Sequence, residues 1–291
     1  MTTDDTLQSK YIEDNKDKDL VETEIAIKVD ENDDFVHEQI FKIINHTSAQ
    51  TVVNFYSPGS WDFIHGAVFN SGLSVIKANA HKRNYDTLLP GQRVWAKDRI
   101  ARMDSKIDSQ IFSWELAIEL EGTLSQLKSA LDSISRAIGR FYGIHIEGFS
   151  KRKDVDGISY SGQILINSLK NLPKEKREQA EALIRHIENH KVTLSKFIQT
   201  RDLFIHPSKP FMESMSGFYY YRETTEFRDP IVGHGTNPEH SYYQEQYIRE
   251  AIEITAAFIS DLLIHMLSDA VPGFDLDIDK NAKYQYSWPS S

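Results

Sequence analysis

The chain has 291 residues, 40% of them hydrophobic and 26% charged, and it carries a net charge of −10. That is enough chain for one large domain, or one domain with a smaller appendage, and the acidic balance argues against a generic nucleic-acid coat while leaving room for a local RNA-gripping patch. The sequence contains no cysteine, which excludes disulfides, a thiolate zinc site and a cysteine nucleophile.

Residues 1–20 are rich in Asp, Lys and Asn, and read as a disordered acidic N-terminus rather than a signal peptide. No apolar run approaches the roughly 18–20 residues of a membrane helix, so the chain reads as a soluble, cytoplasmic protein. Residues 21–29 alternate, with Ile25, Ile27 and Val29 on one side, as a half-buried strand does. Asp33 or Asp34 can cap a short helix over 35–45, and the β-branched and aromatic run 51–56 predicts a second strand ended by Ser57-Pro58-Gly59. Residues 21–59 thus form a small strand-helix-strand appendage.

The remainder is helical in pattern. Ser60 can cap a helix whose Trp61, Ile64, Val68, Val75 and Ile76 follow the helical period, with Gly66 and Gly72 working against it. Leu116, Leu120, Leu124, Leu127, Leu131, Ile134, Ile138 and Phe141 step by fours and threes and predict the clearest helix of the chain, with Gly143 as its terminator. A polar connection over 151–162 and a short helix over 163–170 follow. Pro173 then sits at the first position of a further helix, whose stripe is Ala180, Ile184, Ile187, Lys191, Leu194, Ile198, Arg201 and Ile205 and which Pro207 ends at His206. Residues 208–241 hold Phe218-Tyr219-Tyr220-Tyr221 among Gly, Pro and Asn, as a hairpin or an ordered loop. A last helix covers about 243–268, and a polar tail fills 273–291. The expected fold is mainly α: an antiparallel four-helix bundle over 60–272, with the small N-terminal β element beside it and the aromatic segment before its last helix.

The most informative residues are Arg201-Asp202-Leu203-Phe204-Ile205-His206. Arg201 occupies a slot that its stripe reserves for an apolar side chain, and a buried guanidinium is costly unless paired. It either pairs with a carboxylate of a neighbouring helix such as Glu115 or Glu119, or snorkels outward, or stands at a cleft and grips a phosphate with its bidentate fork. His206 falls where the helix must stop, and either caps the last carbonyls or serves as general acid or base.

Arg201 and His206 are separated by four positions, the first of them the polar Asp202, which is the pattern Arg-x4–6-His with a polar residue directly after the Arg. With a helical bundle around it, this pattern resembles the HEPN domain superfamily. The resemblance implies a metal-independent, cofactor-free endoribonuclease acting on RNA as a homodimer, with motifs of both subunits meeting in one cleft. It implies that His206 activates a ribose 2′-hydroxyl or protonates the leaving oxygen, that Arg201 stabilises the phosphorane charge, and that Asp202 orients the other two. Many members of the superfamily are toxins or anti-phage effectors with a cognate antitoxin or regulatory protein. Others have lost catalysis and act as scaffolds or partner-binding proteins, and that is the alternative expectation here. The acidic net charge makes an acidic antitoxin less expected than for a basic protein. An acidic residue on a preceding helix often supports such a site; Glu115 and Glu119, one turn apart, are the candidates, with solvated glutamates as the other reading.

Three further Arg…His spacings fit the pattern less well. Arg140…His145 lacks the polar neighbour, Arg185…His190 lies within a helix, and Arg228…His234 lies in a Gly/Pro segment. The basic run Lys151-Arg152-Lys153 can touch RNA phosphates or form a solvated loop. The tyrosines at 219–221 can stack on unpaired bases or pack on the domain. His186 and His190 are one turn apart and could share a metal, but no third ligand is obvious, and Glu188 is not in the metalloprotease position. A solvated face and no metal are therefore expected there. The chain has no Glu-x-x-His, P-loop, Gly-x-Gly-x-x-Gly or Gly-x-Ser-x-Gly.

Overall fold

The computed structural model describes residues 59–103, 108–153, 156–205, 217–233, 241–268, 275–277 and 285–287. The expected acidic N-terminus, the strands over 21–29 and 51–56, the helix over 35–45, and His206 with Pro207 all lie outside the described residues. The described part is mainly helical, with a few small antiparallel strands. Its helices are α1 (Trp61–Arg102), α2 (Trp114–Tyr142), α3 (Gln163–Lys170), α4 (Lys174–Gln179), α5 (Glu181–Ile205) and α6 (Gln244–Ser268). Among the described residues, no helix is long and apolar enough to cross a membrane.

α1 is longer than its first apolar positions announce. It carries through Gly66, Gly72 and Pro90 for 42 residues, about 63 Å at 1.5 Å per residue. Ser60 stands at its N-cap and accepts from the Ile64 amide through its carbonyl at 3.0 Å; the hydroxyl does not cap. Small buried residues, Ser71, Gly72 and Ala78, lie along α1, and the Ser71 hydroxyl donates to the Ala130 carbonyl of α2 at 3.0 Å. Glycine at 72 thus serves close helix approach and outweighs its poor helix propensity.

α2 follows its pattern closely. Ser113 accepts from the Leu116 amide at 3.3 Å, and Gly143, at φ +74°, closes the other end. There Gly143 N–H donates to Arg140 O at 3.2 Å and Ile144 N–H to Gly139 O at 2.8 Å, the paired bonds of a left-handed helix stop. All eight residues of the expected stripe are buried, and so are Thr123, Ala130, Ser133, Ser135 and Ala137 on other sides. α2 is accordingly surrounded: it packs along α1 and also meets α3, α5 and α6.

The second half departs from expectation in three places. Pro173 is the N-cap residue rather than the first helical one, and the helix it opens stops at Ala180 before α5 begins at Glu181. Ala180 is fully buried, with its amide turned back to Lys176 O at 3.0 Å. Tyr243 closes a strand, and α6 starts one residue later. The segment 275–277 pairs with 285–287 as two short antiparallel strands, β8 (Asp275–Asp277) and β9 (Gln285–Ser287), within the expected polar tail.

The aromatic segment forms a hairpin, β4 (Gly217–Tyr221) and β5 (Glu226–Arg228), completed by β1 (Ser109–Phe112) in the order β1-β4-β5. Phe218 is buried and stacks on Phe227 at 5.5 Å, while Tyr219 and Tyr221 stack at 6.5 Å. Two further strand pairs are β2 (Lys151–Lys153) with β3 (Ser159–Ser161), and β6 (Ile231–Gly233) with β7 (Ser241–Tyr243).

Ile134 is wholly buried in α2, whereas Ile118 is 59% exposed on the same helix. Ile134→Ala should lower the unfolding free energy by about 2–5 kcal/mol, and Ile118→Ala by less than about 0.5 kcal/mol. Urea unfolding with an unchanged slope is the measurement.

Candidate functional site

Arg201 and Asp202 occupy the last turns of α5 and are about a quarter exposed, with side chains at 26% and 29%. Arg201 Nη1 donates to Asp202 Oδ1 at 3.1 Å, and Lys151 Nζ of β2 donates to Asp202 Oδ2. The guanidinium therefore pairs with its own neighbour rather than with Glu115 or Glu119. Its Nε–H is buried and meets no acceptor among the described residues. A buried donor without a partner costs about 1–3 kcal/mol, and an anionic oxygen that reached this edge of the guanidinium would receive a hydrogen bond from Nε–H.

Burial pushes the Asp202 carboxyl upward. The hydrogen bonds and charges of Lys151 and then Arg201 outweigh that and hold it below the ordinary aspartate value. Asp202 is thereby kept ionised, as an anchor between two cations.

The hairpin β2–β3 brings the basic run to this place. The Ser161 amide of β3 donates to the Ser195 hydroxyl of α5 at 2.8 Å in a buried position. Lys191 of α5 lies over the Tyr160 ring at 4.8 Å and donates to Gln163 Oε1 at 3.2 Å. A half-exposed ion pair such as Lys151–Asp202 contributes about 0–1 kcal/mol, so the buried Ser161–Ser195 bond and the packing hold the hairpin. Lys151, Arg152 and Lys153 remain exposed along β2. One residue before Arg201, Thr200 is tied to the Tyr247 hydroxyl of α6 at 2.8 Å, which fixes the rotation of α5 at the site.

Glu119 is not solvated: it accepts from His81 Nδ1 of α1 at 2.7 Å, and its side chain is only 15% exposed. Glu115 lies in the first turn of α2, where the Ser113 hydroxyl approaches it at 3.4 Å. The sequence reading missed His81. A Cβ at Gly122 would stand 2.5 Å from the His81 ring, so glycine at 122 makes the room. A glycine inside the best leucine stripe of the chain is the signal that marks such a close approach.

A cleft of about 290 Å³ lies elsewhere, lined by Tyr85, Leu89, Asp229, Tyr243, Glu245 and Arg249 among others. Arg93 of α1 grips Asp229 there through Nε at 2.7 Å and Nη2 at 2.5 Å. Its carboxylates make it a poor seat for a phosphate.

His186 and His190 do not form a solvated face. The His186 ring is half-buried, stacked on Phe258 of α6 at 5.1 Å and 13°. Burial, then the charges of His190 and His265, lower its pKa to about 4.

Comparison with known proteins gives no match: no family model, curated protein or solved structure aligns with this chain.

The lowered His186 pKa has a definite sign. The unfolded chain takes up this proton more readily than the folded one, so stability is intact above the ordinary value of 6.5 and is lost as pH falls towards about 4. Urea midpoints measured in chelator should decline across that window. The decline should be shallower in His186→Gln, while an unchanged slope would mean that His186 is not the group responsible.

Proposed function

We propose that this chain is a metal-independent endoribonuclease of HEPN type, built on an antiparallel four-helix bundle and acting as a homodimer in the cytoplasm. The single observation that supports this reading most is the approach of β2 to the end of α5. Two stretches far apart in sequence, Lys151–Lys153 and Arg201-Asp202, meet through the Lys151–Asp202 ion pair. The result is a cluster of cations around one ionised carboxylate, with the Arg201 Nε–H left without an acceptor among the described residues.

In the reaction, Lys151, Arg152 and Lys153 attract the RNA backbone. Asp202 holds Arg201 and Lys151 in register. A 2′-oxygen attacks the adjacent phosphorus, the bond to the 5′-oxygen breaks, and a 2′,3′-cyclic phosphate remains. His206 takes the proton from the 2′-hydroxyl or delivers one to the leaving 5′-oxygen. Arg201 turns its Nε edge to the non-bridging oxygens, whose charge grows in the pentavalent state. The chemistry needs the 2′-hydroxyl and spares DNA. A role as a toxin or anti-phage effector, restrained by a cognate antitoxin or regulatory protein, fits such an activity.

A second reading is favoured by the same ion pairs. Asp202 already has a partner on each oxygen, as a catalytically silent scaffold or partner-binding protein allows.

Incubation of single-stranded RNA with the protein in EDTA separates the two. The enzyme reading expects a 2′,3′-cyclic phosphate product. His206→Ala should slow it by about 10²–10⁴-fold and Arg201→Ala by about 10²–10³-fold. Lys151→Ala should weaken binding and reduce the salt slope by about one. No cleavage by a folded, dimeric parent would leave the scaffold reading.

A further inference from the structure

The cleft of about 290 Å³ is bordered by α1, by Asp229 and Pro230 just after β5, and by the start of α6. Tyr85 and Leu89, one turn apart on α1, give it an apolar floor. Tyr85 is 1% exposed, and its hydroxyl donates to Oε1 of the fully buried Gln244 at 3.1 Å. That buried bond fixes the floor against α6. Tyr243, exposed, stands at the rim. At about 30 Å³ for each liquid water, the cleft has room for about ten waters, or for a molecule of roughly ten non-hydrogen atoms.

The charges around it are unevenly matched. Both oxygens of Asp229 are held by Arg93, so that carboxylate is already neutralised. Two charged lining residues remain, Glu245 and Arg249. They stand four positions apart on α6 with the acid first, the order that favours an ion pair on a helix. The adjacent pair with the same spacing is closed, Gln246 Nε2 donating to Glu250 Oε1 at 2.7 Å. Glu245 and Arg249 do not close on each other, and neither has a hydrogen-bond or ion-pair partner among the described residues. Burial first, then the charges of Asp229 and Glu245, push the Tyr85 phenol upward. The floor is therefore neutral, and the cleft offers one free carboxylate and one free guanidinium beside it.

We propose that this cleft binds a free α-amino acid with an apolar side chain. The ligand's ammonium donates to Glu245, its carboxylate accepts from the Arg249 fork, and its side chain lies on Tyr85, Leu89 and Pro230. A zwitterion answers both side chains and leaves the cleft neutral. An anion meets Glu245 and a cation meets Arg249, each a like-charge contact that disfavours the wrong ligand. A few placed polar groups over an apolar floor is the usual composition of a small-molecule site. The cleft uses none of Lys151, Arg201 and Asp202, so this inference stands or falls separately from the ribonuclease reading.

The test titrates the full chain calorimetrically at pH 7 with L-leucine and L-phenylalanine. Beside them run N-acetyl-L-phenylalanine, which lacks the ammonium, and L-phenylalaninamide, which lacks the carboxylate. One saturable site per chain is expected for at least one of the two amino acids, with a Tm that rises as it fills. Each analogue of phenylalanine should bind about ten- to a hundredfold more weakly than the parent amino acid, the loss of one hydrogen-bonded charge. Glu245→Gln and Arg249→Gln change exposed side chains and should fold, as circular dichroism verifies. Each should weaken the amino acid by a similar factor. Glu245→Gln should also abolish the discrimination against the acetylated analogue, and Arg249→Gln that against the amide. Absence of saturable binding by both amino acids, equal affinity for the two analogues and the parent ligand, or undiminished affinity in both variants would overturn the proposal. If neither variant folds, the analogue series on the parent protein decides alone.

Discussion

Enclosure of α2 is the constraint on which the rest of the structure depends. A helix buried along one stripe needs one partner; α2 is buried on more than one side and needs several. Each Leu or Ile taken out of water contributes about 1.5–3 kcal/mol, and α2 supplies eight such large side chains or their aromatic equivalent along its stripe. α1 covers one side over its length, and α3, α5 and α6 meet others. The small residues Ser133, Ser135, Ala130 and Ala137 let those neighbours come close.

Polar bonds then set details that apolar packing leaves loose. Thr200 to Tyr247 locks the C-terminal part of α5 onto α6. Ser161 to Ser195 locks the β2–β3 hairpin onto the middle of α5. Both are buried, where an unmade bond would be costly, so each acts as a registration pin. Tyr85 to Gln244 at 3.1 Å does the same between α1 and α6. With these in place, the exposed Lys151–Asp202 pair forms where the hairpin happens to pass, and needs little strength of its own.

Much of the fold is legible from local pattern. The α2 stripe and its Gly143 stop are read from side-chain period and turn chemistry alone, because each depends on residues within four positions. The aromatic segment leaves a hairpin or an ordered loop open and the structure decides for the hairpin, while its third strand is not legible: β1 is four residues long, too short for periodicity, and its partner is more than 100 positions away. The full length of α1 is hidden for another reason. Its buried face is made of Ser71, Gly72, Ala78 and Ala96 as much as of large apolar residues, so its sequence carries little amphipathic contrast, and Pro90 argues against continuity. Ala180 is a further case, since burial of an alanine allows either an unbroken helix or a short break.

Sequence by itself determined the mainly helical class, the stripe and C-terminal stop of the best helix, and the oddity of Arg201 on an apolar stripe, because these are consequences of spacing along one chain. Tertiary structure alone decided the company these residues keep. Arg201 pairs with Asp202 and not with Glu119, and Glu119 is bonded to His81, for which Gly122 leaves room. Lys151 reaches Asp202 because a buried serine pair seats a hairpin on α5. His186 and His190 meet Phe258, Asp261 and His265 because α6 packs beside α5. Apart from the neighbouring Arg201 and Asp202, each of these meetings joins residues dozens of positions apart, and a one-dimensional pattern holds no record of which faces close on one another.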